Sequence, residues 1–177
     1  DEFLTSDLLA MRAQGLTAMG PVGANLTFAA TSRPADPVRV SRAYVGTFTS
    51  PDFLTDGEAD SSILRRDGAG VPQRQGMRDA NFAAIIPKCA ETAPLPLPVV
   101  VFGHGLFGSY TEVFSSPQRA MVREHDMAYC ATDWIGMSEG DVGNAVAILN
   151  DLSKFPSLPD RSQQGILNSL FLARVMK

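Results

Sequence analysis

Glycine and histidine side by side make residues 103–108 the stretch of this sequence best suited to chemistry. The sequence there is Gly-His-Gly-Leu-Phe-Gly, and it follows directly on the apolar run 99–102, Val-Val-Val-Phe. Four consecutive large apolar residues suit a strand buried on both faces, as in a parallel sheet that helices cover. Because glycine adopts backbone angles closed to other residues, the turn can aim a peptide N–H at one point in space and stabilise a developing negative charge.

This segment resembles the strand and loop of α/β-hydrolases, in particular bacterial lipases and esterases that carry His-Gly-Leu-x-Gly. The resemblance implies an α/β fold with a parallel sheet and helices on both faces. It also implies that the Leu106 N–H binds the oxyanion of a tetrahedral intermediate, with His104 and Gly105 supporting the loop. It covers roughly residues 81–177 as the N-terminal half of a hydrolase domain. Residues 1–80 match as an N-terminal β-rich extension with leading strands.

The same glycines admit two other interpretations. Gly103, Gly105 and Gly108 spell G-x-G-x-x-G, a dinucleotide-binding pattern, and Asp133 ends the next predicted strand as an acidic residue would in such a site. The intervening His104 and the spacing to Asp133 weaken that interpretation. A turn with a structural role alone is the second alternative.

Ser138 is a second candidate for chemistry, because residues 136–140, Gly-Met-Ser-Glu-Gly, match G-x-S-x-G. A nucleophilic serine in this pattern needs a strand before it and a helix after it, and both are predicted here. In the family that the chain resembles, however, the loop at this place carries no nucleophile, and the order of the triad is Ser, acid, His. No histidine follows His125. We therefore keep Ser138 as an alternative nucleophile and expect the nucleophile, acid and base beyond Lys177.

The histidines and cysteines are assigned mainly structural roles. His104 is predicted to hold the loop through side-chain hydrogen bonds, with general-base catalysis as the alternative. His125 ends a predicted helix, where a cap role through the helix dipole is expected. Cys89 and Cys130 are left as one disulfide or as two thiols. Two Cys and two His without ligand spacing predict no metal site, and no other cofactor is expected.

Composition narrows the class of protein. The 177 residues are 45% apolar and 19% charged, enough for one core or one core with an extension. A net charge of −4 with scattered basic residues argues against nucleic acid as a partner. No apolar run reaches the roughly 18 residues of a membrane span. The first residues are not a signal peptide, so the compartment stays open, and a mature secreted or periplasmic protein fits equally.

The elements that must position these residues follow from periodicity and turn signals. A helix at Pro117–His125 between two strands predicts a crossover unit in a parallel sheet. The last helix is predicted to begin at Asp160, with Gln163 completing a capping box. The remaining expected elements are a short helix that follows Ser6-Asp7, with Gly15 and then Gly20-Pro21 as stop signals, strands at 38–48, 82–87 and 127–134, and a helix at 142–152.

Together these observations predict the N-terminal part of a serine carboxylester hydrolase or lipase that supplies the oxyanion loop. The chain by itself is expected to be inactive. Its substrate is expected to be an ester or another lipid-like small molecule, and the C-terminal half of the same protein or a second chain is expected to complete the site. The rival functions are a non-catalytic α/β binding or interaction protein and a nucleotide-dependent oxidoreductase.

Overall fold

Five strands and four α-helices make up the part of the chain that the structure, a computed structural model, describes: residues 2–20, 23–57, 59–92 and 96–177. The strands are β1 (Phe28–Arg33), β2 (Val40–Asp52), β3 (Gly76–Pro87), β4 (Val99–Val101) and β5 (Ala128–Thr132). The helices are α1 (Glu2–Met19), α2 (Ser116–His125), α3 (Val142–Asn150) and α4 (Ser157–Val175). A 3₁₀ turn at Tyr110–Phe114 precedes α2, and another at Glu139–Asp141 precedes α3.

The strands form one mixed sheet in the order β1-β2-β3-β5-β4. The pairs β1–β2, β2–β3 and β3–β5 are antiparallel, and β4–β5 is parallel. The predicted α/β class and the strand–helix–strand unit of β4, α2 and β5 are therefore confirmed. The expectation of a parallel sheet is wrong for the other pairs, because β2 and β3 continue the sheet as long antiparallel strands.

Helices cover both faces of this sheet. Successive side chains on a strand point to opposite faces, so β3 and β5 contribute to two separate cores. Phe82, Ala84 and Cys130 pack with α1 and α4 on one face. Ala83 and Ile85 pack with α2 on the other face.

Among the described residues, β4 lies at the edge of the sheet and pairs with β5 alone. Val99 is 40% exposed and Val101 is 36% exposed. The expectation that residues 99–102 form a strand buried on both faces is therefore wrong, because an apolar run reports β-propensity and not the position of the strand in the sheet. The result is an apolar parallel strand with one free edge.

α1 continues through Gly15, the first of the two predicted stops, and ends at Met19, directly before Gly20 of the second, whose Pro21 lies outside the described residues. A Cβ at Gly15 would lie 2.7 Å from Cζ of Phe171 and 3.2 Å from Cγ of Pro51. Glycine is therefore used here for close packing of α1 on α4 and β2. No helix in the described ranges has the length and apolar character needed to cross a membrane.

The expected capping box at the start of α4 is wrong. The helix begins at Ser157, and Asp160 lies in its first turn, where Oδ2 accepts a hydrogen bond from the Leu64 N–H at 2.9 Å. Gln163 is buried within the helix. The strands also differ from expectation: β2 runs through Pro51 to Asp52, and β1 was not predicted.

Cys89 and Cys130 are both free thiols. Cys130 in β5 lies opposite Ala84 of the neighbouring β3, whereas Cys89 follows the end of β3 at Pro87. The three residues from Ala84 to Pro87 span roughly 10 Å of strand, which places Cys89 too far along the sheet for a disulfide. Burial raises the pKa of the Cys130 thiol to about 12.

Candidate functional site at the carboxyl ends of β4 and β5

The loops that follow β4 and β5 lie side by side, because parallel neighbours end at the same edge of a sheet. Gly108 and Ser138 pair in an isolated parallel bridge. The Phe107 N–H donates to Met137 O at 2.7 Å, and the Glu139 N–H donates to Gly108 O at 2.8 Å. The structure thus brings the two regions singled out in the sequence into direct contact.

Residues 105–108 form a tight turn, closed by a hydrogen bond from the Gly108 N–H to Gly105 O at 2.9 Å. Phe107 occupies its second central position with φ of 56°. A left-handed backbone is costly for a bulky residue and is usually left to glycine. The bond from the Phe107 N–H to Met137 O helps to hold this conformation, so the loop after β5 supports the turn after β4.

Leu106 occupies the first central position of the turn and is 71% exposed. Among the described residues, no acceptor takes a hydrogen bond from the Leu106 N–H, in contrast to the N–H groups of Phe107 and Gly108. A peptide N–H that belongs to an exposed residue and has no protein partner can donate to a ligand. The Leu106 N–H, which the sequence predicts as a donor to the substrate, is therefore not used in a hydrogen bond among the described residues.

His104 is 7% exposed, and both of its ring nitrogens are engaged. Nε2 lies 2.8 Å from the Trp134 backbone nitrogen, and Nδ1 lies 2.7 Å from Gly105 O. A backbone N–H can only donate, so Nε2 is the acceptor and the proton of the neutral ring is on Nδ1, which donates to Gly105 O. In this arrangement His104 joins the two loops and has no nitrogen directed at a substrate.

Ser138 is buried, with an exposed fraction of 6% and an ordinary extended backbone at φ −86° and ψ 169°. Its Oγ donates to Asp141 Oδ2 at 2.5 Å. The same Oδ2 accepts the N–H groups of Ser138 at 3.0 Å and Gly136 at 2.8 Å. A nucleophile elbow instead needs a strained turn that lifts the hydroxyl above the sheet. The Ser138 hydroxyl is used here to cap the turn before α3.

Asp141 and Arg161 form a buried ion pair that fixes this loop to α4. Arg161 Nε donates to Asp141 Oδ1 at 2.8 Å, and both side chains are almost fully buried. Arg161 also donates to Ala59 O at 2.8 Å. Neither Asp141 nor Arg161 is among the residues predicted from the sequence. The spacing of Ser138 and Asp141, which matches the capping pattern, was the local signal that could have indicated Asp141.

Close packing of the loop after β5 on α4 depends on two glycines. Gly136 has φ of 93°, and a Cβ there would lie 2.6 Å from the Ser162 backbone nitrogen. A Cβ at Gly165 would lie 3.0 Å from both the backbone nitrogen and the carbonyl oxygen of Ile135. Neither position has room for a side chain, so α4 acts as a rigid support for the loop.

Asp133 follows β5 and fixes the loop after the 105–108 turn, since its Oδ1 accepts the Tyr110 N–H at 3.0 Å. Burial raises the pKa of Asp133, and the bond from Tyr110 partly opposes that rise. A cavity of about 490 Å³ opens beside this carboxyl, with Ser109, Thr111 and Glu139 in its lining. Polar side chains therefore line part of a cavity that lies directly after the turn.

The other candidate residues lie apart from this edge or show no ligand site. His125 ends α2, which leads to the amino end of β5, so it lies at the opposite edge of the sheet from the two loops. Among the described residues, no three His, Cys, Asp or Glu side chains are grouped so that they could hold a metal ion.

No similarity to a known protein assigns a function to these two loops. Comparisons of the chain with models of protein families, with curated proteins and with solved structures give no match. The two loops and the chemistry that their groups permit are therefore the basis for a function.

Proposed function

We propose that this chain supplies the oxyanion-binding loop of a serine carboxylester hydrolase of the α/β-hydrolase type. The observation that carries the proposal is the Leu106 N–H, which belongs to an exposed residue of a turn after a parallel strand and has no acceptor among the described residues. Ligand sites of α/β sheets lie at this edge, outside the carboxyl ends of the parallel strands.

The chemistry of ester hydrolysis explains what such a donor does. When a nucleophile attacks the ester carbonyl, negative charge develops on the carbonyl oxygen, and a fixed N–H stabilises that charge without having to reorient. Gly105 O belongs to the same peptide group as the Leu106 N–H. In a trans peptide these two bonds point in opposite directions. Because His104 Nδ1 and the Gly108 N–H both bind Gly105 O, they direct the Leu106 N–H outward.

In the proposed enzyme, the nucleophile, the acid and the base are residues outside the two loops. Ser138 Oγ is buried against Asp141, and neither histidine hydrogen-bonds a serine hydroxyl in the described part of the chain. The free apolar edge of β4 is the place for a further parallel strand, from the C-terminal half of the same protein or from a second chain.

Exposed apolar side chains near the turn support an ester with a lipid-like acyl group as the substrate. Leu106 and Phe107 are both exposed at the tip of the turn. Val142, Val146 and Leu149 are exposed at helical spacing on α3, which follows the Ser138 loop directly. Apolar surface beside a peptide donor suits an acyl chain next to its carbonyl.

The test compares two substitutions at Leu106 in the protein as it is produced from its gene. Leu106→Pro removes the N–H and is expected to lower kcat for p-nitrophenyl ester hydrolysis by on the order of 10² to 10³. Leu106→Ala keeps the N–H and is expected to keep most of the activity. Unchanged thermal unfolding of both variants controls for the fold.

Each result of this test has a defined meaning. Equal activity of the two Leu106 variants would show that the turn has a structural role alone. Absence of ester hydrolysis and of labelling by a serine-reactive fluorophosphonate in the wild-type protein would reject the hydrolase and favour the non-catalytic binding protein.

A further inference from the structure

The backbone conformation of Gly108 does not explain why glycine occupies this position. Its φ lies outside the left-handed region, so the conformation at this position is open to any residue. A Cβ at Gly108 would instead clash with Oε1 of Glu112. Glycine at this position therefore provides the space that the Glu112 carboxylate occupies.

Glu112 reaches this space from the 3₁₀ turn Tyr110–Phe114, four residues further along the chain. Its side chain is half-buried, and Oε2 lies 3.4 Å from the Gly105 backbone nitrogen, at the long end of hydrogen bonding. The carboxylate thus touches both the first and the last residue of the 105–108 turn. No other side chain of the described residues hydrogen-bonds the Gly105 N–H.

We propose that Glu112 is the positioning residue for the Leu106 N–H, an inference that rests on the function proposed above. Gly105 is held at its nitrogen by Glu112 and at its oxygen by His104 and the Gly108 N–H. The following peptide group, which carries the Leu106 N–H, has its plane set by these contacts. Removal of the carboxylate leaves His104 in place but lets the backbone of Gly105 and Gly108 move into the vacated space.

The first experiment uses the amide signals of the ¹⁵N-labelled 177-residue chain. Glu112→Ala is expected to shift and broaden the signals of Gly105, Leu106 and Phe107, and to increase hydrogen exchange at the Phe107 N–H on the order of tenfold. Glu112→Gln retains an oxygen acceptor of the same reach and is expected to preserve the wild-type signals. The matched control is Glu124→Ala, which removes an exposed carboxylate from α2.

The second experiment replaces Gly108 in order to displace Glu112 without deleting it. Gly108→Ala is expected to reproduce the signal changes of Glu112→Ala, because the new Cβ takes the position of the carboxylate. The double variant is expected to resemble Glu112→Ala, since the remaining close neighbour of that Cβ is Gly105 O at 3.1 Å. Additive effects of the two substitutions, or unchanged turn signals in Glu112→Ala, would overturn the proposal.

A third experiment measures ester hydrolysis by the protein as it is produced from its gene. Glu112→Ala is expected to lower kcat by up to roughly 100-fold with KM and thermal unfolding unchanged, because a misdirected donor affects the transition state more than substrate binding. Rescue by Glu112→Gln is expected. A wild-type protein without activity would reject the proposed hydrolase, while the amide signals would still decide whether Glu112 positions the turn. Equal changes in KM and kcat, or a lowered unfolding temperature, would show a structural role alone.

Discussion

His104 Nδ1 donates to Gly105 O at 2.7 Å. This bond helps to set the direction of the Leu106 N–H, although His104 makes no hydrogen bond to that group. The Gly105 carbonyl and the Leu106 N–H are the two polar ends of one planar peptide group. Trp134, through its N–H to Nε2 at 2.8 Å, selects the His104 tautomer that can make the bond. The loop after β5 therefore sets the direction of a peptide group in the loop after β4.

Substitution of His104 is expected to destabilise the protein. His104→Ala leaves the Trp134 N–H and Gly105 O without their side-chain partner, and an unsatisfied buried polar group costs about 1–3 kcal/mol. The control His125→Ala, at an exposed position, is expected to change stability by less than about 0.5 kcal/mol. Urea unfolding of the two variants measures the difference, and equal stabilities would contradict the role assigned to His104.

Ser138→Ala is expected to keep most of the esterase activity of the protein produced from its gene and to lower stability by about 1 kcal/mol, the net contribution of one hydrogen bond. Asp141→Ala is expected to cost about 3–5 kcal/mol, because it leaves Arg161 as a buried charge without its main partner. Urea unfolding and ester hydrolysis of both variants test this order. Loss of activity by several orders of magnitude in folded Ser138→Ala, together with loss of fluorophosphonate labelling, would make Ser138 the nucleophile.

Asp133→Asn is expected to become more stable relative to wild type as the pH rises. Burial raises the pKa of Asp133 above its ordinary value of 3.8, so the folded protein holds this proton more tightly than the unfolded chain does. The stability that the proton contributes is present below pH 3.8 and is lost as the pH rises through the raised pKa. Asparagine keeps an oxygen acceptor for the Tyr110 N–H and carries no charge.

The measurement for Asp133 is the free energy of urea unfolding of both proteins from acidic to neutral pH. All other titrating groups are shared, so they cancel in the difference between the two proteins. A difference that is independent of pH, or one that favours wild type as the pH rises, would show that the Asp133 carboxylate is stabilised in the fold.

Much of the local structure could be predicted from the sequence. The glycines and His104 located the turn after β4, and Pro117 with the following apolar spacing located α2 between two strands. Ser138 was correctly placed on a loop between a strand and a helix. These features depend on residues close together in the chain, whose backbone preferences and periodicity act locally.

The position of each strand in the sheet was decided by tertiary structure. The same apolar run that suits a central strand forms β4 at the edge, because pairing with β5 on one side depends on residues 29 positions away. The site depends on contacts of the same kind. The bonds between His104 and Trp134 and between Asp141 and Arg161 join residues 30 and 20 positions apart. Local propensity cannot predict such contacts, since they form only after the sheet order and the packing of α4 bring the two segments together.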